Sequence, residues 1–134
     1  MGTVCTRLQD ANEAGAYRLN CPLDELRAEA TQASFALFEA DLAALHGKGG
    51  FLAAVALALN APEWFGNNWD ALADALGDLS WRPAAGYVLL LRNGGEALGL
   101  SAAEHETVSE IFAHTVDFWK SLGKPFWVFF ADAV

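Results

Sequence analysis

The chain has 134 residues, 54% of them hydrophobic and 12% aromatic, with only 19% charged. That is enough apolar material for one domain with a full core and no staples, and it argues against disorder. The net charge of −9, from 17 acids against 8 lysines and arginines, repels nucleic acid and anionic membranes and draws basic partners.

The N-terminal Met1-Gly2-Thr3-Val4-Cys5-Thr6-Arg7 lacks the long apolar stretch of a signal peptide. No apolar run approaches the roughly 18 residues of a spanning helix. The expected location is therefore the cytoplasm. In that compartment Cys5 and Cys21, the two cysteines, are expected as free thiols, with a disulfide as the alternative in an oxidised sample. Their spacing fits no zinc pattern, and His46, His105 and His114 form no ligand cluster, so no metal or other cofactor is expected.

Residues 1–14 are polar and turn-rich and are expected to be loose. Ala16-Tyr17-Arg18-Leu19 reads as a short strand. Pro22 suits a first helical turn, and Leu23, Leu26 and Ala30 form an apolar stripe behind it. Phe35-Ala36-Leu37-Phe38 reads as a buried strand. His46-Gly47-Lys48-Gly49-Gly50 reads as a loop before a helix that carries Phe51, Leu52, Val55 and Leu59. That loop lacks the spacing and the Ser/Thr of a phosphate-binding loop.

The most informative stretch follows: Pro62-Glu63-Trp64-Phe65-Gly66-Asn67-Asn68-Trp69-Asp70-Ala71-Leu72-Ala73-Asp74. Asn67 or Asn68 suits an N-cap, whose side-chain oxygen accepts from a first-turn N–H. Trp69, Leu72, Ala73, Leu76 and Leu79 recur at helical spacing and predict a buried face for a helix ending near Leu79. Asp70 and Asp74, four apart, stack on a neighbouring face, where like charges cost a helix about 0.2–0.5 kcal/mol. The helix dipole favours Asp70 but does little for Asp74. No Lys or Arg occurs between Lys48 and Arg82, whereas Glu63, Asp70, Asp74 and Asp78 all do. With no local cation, such a face suits either solubility or a basic partner.

Tyr87-Val88-Leu89-Leu90-Leu91 is a continuous apolar run, as expected of a strand covered on both faces. Ser101-Ala102-Ala103-Glu104 is a capping box. The helix it opens buries Val108, Ile111, Phe112, Thr115, Trp119 and Leu122 and stops at Gly123. Phe126-Trp127-Val128-Phe129-Phe130 is a second continuous strand. Strands alternating with helices predict an α/β fold: a parallel sheet of three core strands, extended by the Tyr17 strand, with helices packed on it.

Pro62-Glu63-Trp64-Phe65-Gly66-Asn67-Asn68-Trp69-Asp70-Ala71-Leu72 resembles the signature of the barstar family, the intracellular inhibitors of barnase-type ribonucleases. The resemblance runs from about Phe35 to the C-terminus and includes the strand–helix–helix–strand–helix–strand order. It implies one domain, 1–134, built as a barstar-like core, 35–134, with an N-terminal strand–helix extension, 1–34. It implies no enzyme, but an inhibitor that plugs a basic nuclease with the helix the motif opens. Trp64, Phe65, Gly66, Asn68, Trp69, Asp70, Ala73 and Asp74 would then face the partner, the two carboxylates imitating RNA phosphates.

This chain departs from the family pattern at several points. Trp64 and Phe65 replace a tyrosine pair, Asn67 replaces an acid, and Ala73 replaces a large aromatic. The family has a further contacting acid on its last helix. Alignment from the helix start puts His114 there, and alignment back from Gly123 puts Phe118. Glu110 or Asp117 could substitute from an adjacent turn, and Glu110 and His114 are the candidates retained. Two readings of other classes stand beside inhibition: an immunity-like or regulatory binder of another basic toxin, and a carboxylate-based hydrolase. Direct nucleic-acid or membrane binding is not expected, and the oligomeric state is open.

Overall fold

The computed structural model describes residues 8–43, 47–61, 66, 68–94 and 98–131. In chain order the elements are β1 (Ala16–Arg18), α1 (Leu23–Gln32), β2 (Ala36–Asp41), α2 (Gly47–Leu59), α3 (Trp69–Leu76), β3 (Tyr87–Arg92), α4 (Ala102–Ser121) and β4 (Phe126–Ala131). The four strands form one sheet in the order β1-β4-β3-β2, and every pair is parallel. The α/β architecture predicted from the sequence is the one observed.

Strand parity divides the sheet into two faces. Tyr87 stands on one face with Ala36 and Phe126 beside it. Its ring packs on Trp119 of α4 at 5.0 Å and on Phe126 at 6.1 Å. Helices α2, α3 and α4 pack side by side here, α2 against β2 and α4 against β4, with α3 between its two neighbours.

The opposite face carries Val88, Leu90, Trp127 and Phe129, all fully buried. What covers it is the N-terminal region. Leu8, Leu26 and Ala30 belong to the core, and the indole Nε1 of Trp127 donates to the Leu8 carbonyl at 2.8 Å. On the same face Arg27 of α1 makes a two-pronged contact with Glu39 of β2, at 2.8 and 3.1 Å. β1 and β2 are the two edges of the sheet, so the connection through α1 spans three strand spacings, about 14 Å.

Several expectations are corrected. The segment before Ala14 is not loose where it is described: Leu8 and Ala14 are buried. Its polar composition is outweighed by an apolar sheet face that needs a cover and an indole N–H that needs an acceptor. Pro22 is the N-cap of α1 rather than a first-turn residue. Helix α2 begins at Gly47, so most of the glycine-rich stretch is helical. Helix α3 ends at Leu76, where Gly77 caps it. Ala75 rather than Ala73 completes its buried face with Leu72 and Leu76, while Ala73 is exposed. Leu79 still reaches the core, from a turn with φ +52°.

The capping box of α4 is fully formed, with Glu104 N–H on Ser101 Oγ and Ser101 N–H on Glu104 Oε1. Gly123, at φ +76°, reverses the chain after α4 as expected of a C′ glycine. Leu122, expected inside, is 58% exposed because the helix has already ended at Ser121. Cys21 is disulfide-bonded, which corrects the free-thiol expectation there. Cys5 lies outside the described residues. Among the described residues no helix is long and apolar enough to cross a membrane.

The Arg27–Glu39 pair gives the fold a pH signature. The Arg27 hydrogen bond, reinforced by the charges of Arg27 and Arg92, holds the Glu39 carboxyl below the usual glutamate range despite partial burial. Asp41 is also lowered, by the Ala43 N–H and Asn93. A depressed folded pKa means that the stabilisation is complete above the unfolded value and is lost as pH falls through the folded one. Wild-type stability should therefore drop on acidification below the ordinary carboxylate range. Denaturant melts of Glu39→Gln should show a shallower drop over that range, and identical pH profiles would contradict the assignment.

An acidic helix face between two buttressed helices

The candidate site is built on α3. Asn68, extended at φ −147°, caps it by accepting the Ala71 N–H on its side-chain oxygen at 2.7 Å. Its own N–H donates to the Gly66 carbonyl at 2.9 Å. A Cβ on Gly66 would come within 3.1 Å of the Asn68 amide nitrogen, so the turn favours glycine. Asn68→Ala should cost about 1 kcal/mol, the usual value of such a cap. Thermal melts that show no loss would mean that the cap is idle.

The far end of α3 is held by neighbours. Trp119 Nε1 of α4 donates to the Leu76 carbonyl at 2.8 Å. Trp81 Nε1, just past α3, donates to the Leu59 carbonyl at the end of α2 at 2.9 Å. Two indoles thus satisfy terminal carbonyls of two helices and fix the frame around the α2–α3 connection.

Trp69 is half-buried, its ring 6.1 Å from Phe51 of α2. That contact turns the Trp69 flank of α3 toward α2. Helical geometry then puts Asp74 on the flank toward α4, with Asp70 and Ala73 between. Asp70, Ala73 and Asp74 are all exposed. Among the described residues neither carboxylate has an ion-pair partner. Arg82 is turned to the Pro83 carbonyl, and Arg92 lies 3.9 Å from Glu39. Asp78, also exposed, accepts from Ser80 Oγ at 3.2 Å.

Not every expected residue can be placed beside them. Trp64, Phe65, Glu63 and Asn67 lie outside the described residues. Glu110 and His114 are exposed, one turn apart on α4. Phe118, also on α4, is 45% exposed, and its ring meets Trp119 at 5.3 Å. The Asp117 flank of α4 turns the other way, toward Ala14–Ala16. Phe118, about 100° further round the helix and against Trp119, is on the α3 side.

One neighbour of the candidate site was missed by sequence reasoning. Lys48 of α2 places its ammonium 5.5 Å from the centre of the Trp69 ring. The patch is therefore not free of cations, as the stretch without Lys or Arg between Lys48 and Arg82 suggested. The cation is held by an aromatic face at the edge of the site instead of pairing with an acid. Lys48 lies 21 positions before Trp69. Only the packing of α2 on α3 brings them together.

Chemically, the arrangement presents two carboxylates that have no ion-pair partner among the described residues, on a capped helix beside aromatic rings. It can accept hydrogen bonds and pair with cations. Comparison with known proteins gives the same direction. No curated protein matches the chain closely enough to count as a relative. The family model described as barstar (barnase inhibitor) does match, over residues 35–131. That span takes in β2, β3, β4 and helices α2 to α4, more than two-thirds of the sequence, and on that match the chain belongs to the barstar family.

Proposed function

We propose that this protein inhibits a basic ribonuclease by setting the head of α3 and the loop before it into the enzyme's cationic cleft. The observation that carries the reading is the exposure of Asp70 and Asp74 without ion-pair partners among the described residues, in a chain whose family inhibits ribonucleases. An exposed acid pair left unneutralised costs little in water and is strongly rewarded by a partner's cations. In a nuclease those cations bind RNA phosphates, and the carboxylates stand in for them. Trp64, Phe65, Gly66, Asn68, Trp69 and Ala73 supply the remaining contact surface, with Glu110 and His114 as a second patch on α4. On this reading the protein is not an enzyme, and residues 1–34 are an addition to an inhibitory core, 35–134.

The departures at Trp64 and Phe65, which lack the hydroxyls of a tyrosine pair, favour a partner with fewer hydrogen-bonding groups opposite them. An immunity-like binder of another basic toxin would use the same face. We place the activity in the cytoplasm. Reducing compartments keep thiols reduced, so in the cytoplasm Cys21 is expected as a thiol and not in the disulfide of this structure. Fractionation of the native cells with thiol trapping decides it.

The test of function is inhibition of a panel of basic ribonucleases and ribonuclease toxins, with association rates followed as salt rises. One or more enzymes should be inhibited stoichiometrically. Their association should slow as the Debye length shrinks past about 10 Å at 0.1 M salt. No inhibition across the panel at micromolar protein would sink the proposal.

A further inference from the structure

Among the described residues, the open edge of the sheet and the outer face of α2 form one uncovered surface. β2 is the last strand in the order β1-β4-β3-β2. Its Ala36 N–H bonds inward to Gly86, and Leu42 N–H bonds inward to Arg92. By parity the N–H and C=O of Leu37, Glu39 and Asp41 point outward. No partner for them occurs among the described residues.

Exposed edges are ordinarily guarded by lysine, proline, a bulge or an inward-pointing charge. β2 has none of these: its register with β3 runs unbroken from Ala36 to Asp41, and its one mid-strand charge, Glu39, is neutralised by Arg27 and Arg92. Beside this edge lies a groove of about 560 Å³, lined by Glu39 and Asp41 of β2 and by Gly50, Ala53, Ala54, Leu57 and Ala58 of α2.

Helix α2 is anomalous for a surface helix. Its 13 residues, GKGGFLAAVALAL, contain a single charge, Lys48. Its inner face is filled by Phe51, Leu52, Val55 and Leu59. The outer face is nonetheless apolar, where a surface helix would be polar. Leu57 stands 84% exposed on it.

We infer that this edge and helix face are a homodimer interface, the occupant being a second copy of the same chain across a two-fold axis. Two features select a second copy. First, knob and hole lie on one helix: Leu57 protrudes, and the hollow at Gly50, Ala53 and Ala54 lies one to two turns before it. A two-fold contact needs that self-complementarity, each Leu57 entering the hollow of the other chain. Second, charge permits it. Two copies of a −9 protein repel wherever their acids meet. On this face Glu39 is held by Arg27 and Arg92, Asp41 receives Asn93, and α2 contributes no acid. The face is close to neutral while α3 stays acidic. Antiparallel pairing of the two β2 edges would join the sheets into one of eight strands and satisfy the outward groups of Leu37, Glu39 and Asp41.

Sedimentation equilibrium of the full chain should give twice 14.4 kDa, with a monomer–dimer equilibrium that strengthens or holds as salt rises. Leu57→Lys should raise the dissociation constant by at least about tenfold. Leu122→Lys, at another exposed leucine just past the end of α4, should leave it unchanged. Hydrogen exchange should show the Leu37, Glu39 and Asp41 amides protected at high protein concentration and exposed in Leu57→Lys. Circular dichroism of Leu57→Lys should match the wild type, since the side chain contributes almost nothing to the core. Three results would each overturn the inference. One is a monomer at all concentrations. Another is a dimer unaffected by Leu57→Lys. The third is protection of the edge only when a foreign extended peptide is added.

Discussion

Asp74→Ala should weaken the complex with the inhibited ribonuclease by tens- to thousands-fold, mainly through faster dissociation. The carboxylate stands exposed on the flank of α3 that faces α4, and no described cation pairs with it. In the free protein its loss therefore costs almost nothing, and relieving the repulsion from Asp70 offsets part of even that. In the complex it would leave a desolvated cation of the enzyme without a partner. That situation costs about 2–5 kcal/mol, a general range to which the barnase–barstar complex itself contributes. At tenfold per 1.4 kcal/mol, the affinity loss follows. Asp24→Ala is the control: its carboxylate is fully exposed on α1, 3.6 Å from Arg27 and across the sheet from α3. It should change affinity by less than about twofold. Surface plasmon resonance on both variants, at low and high salt, separates the cases. Equal small losses, insensitive to salt, would mean that the α3 acids are only a solvated face.

Trp127→Ala should destabilise the fold by about 3–5 kcal/mol, the range for deleting a buried aromatic, and in a protein of ordinary stability that removes a large fraction of the total. Trp127 is fully buried in the central part of the sheet. Its ring stacks on Phe129 at 5.5 Å and touches Tyr17 at 5.8 Å. Its Nε1 holds the Leu8 carbonyl, so the substitution also strips an acceptor of its donor and loosens the N-terminal cover. Trp127→Phe keeps most of the ring and removes only the N–H. It should recover most of the stability while leaving residues 8–14 less protected against hydrogen exchange. Urea melts of both variants test this. A loss below 1 kcal/mol for the alanine variant would mean that the second sheet face is covered without the N-terminal segment.

Local chemistry was sufficient for much of this protein. Asn68 as a cap, the Ser101–Glu104 box, Gly123 as a stop and the apolar runs at Tyr87 and Phe126 each act within a few residues. Their effects are therefore visible in the linear sequence. The parallel α/β character and the acid pair of α3 were legible from the same short-range patterns, and so was the family. The resemblance begins at Phe35, and so does the matched span.

Tertiary structure decided everything that depends on who lies across the gap. Residues 8–14 read as a loose polar tail, yet Leu8 is core because an indole 119 positions away needs its carbonyl. The two apolar strands demanded cover on both faces, but nothing local said that α1 and its flanks supply the second one. Ala73 and Ala75 are identical in type. Only the packing of α3 between α2 and α4 buries one and exposes the other. Lys48 joins the edge of the acidic site, and Leu57 stands out in solvent, because helix α2 is placed by the β2 strand and α3 that it packs against. Hydrophobic spacing marks which residues seek burial, but the partners that provide it are set by long-range contacts. Those contacts also determine which apolar residues, Leu57 foremost, are left over for another molecule.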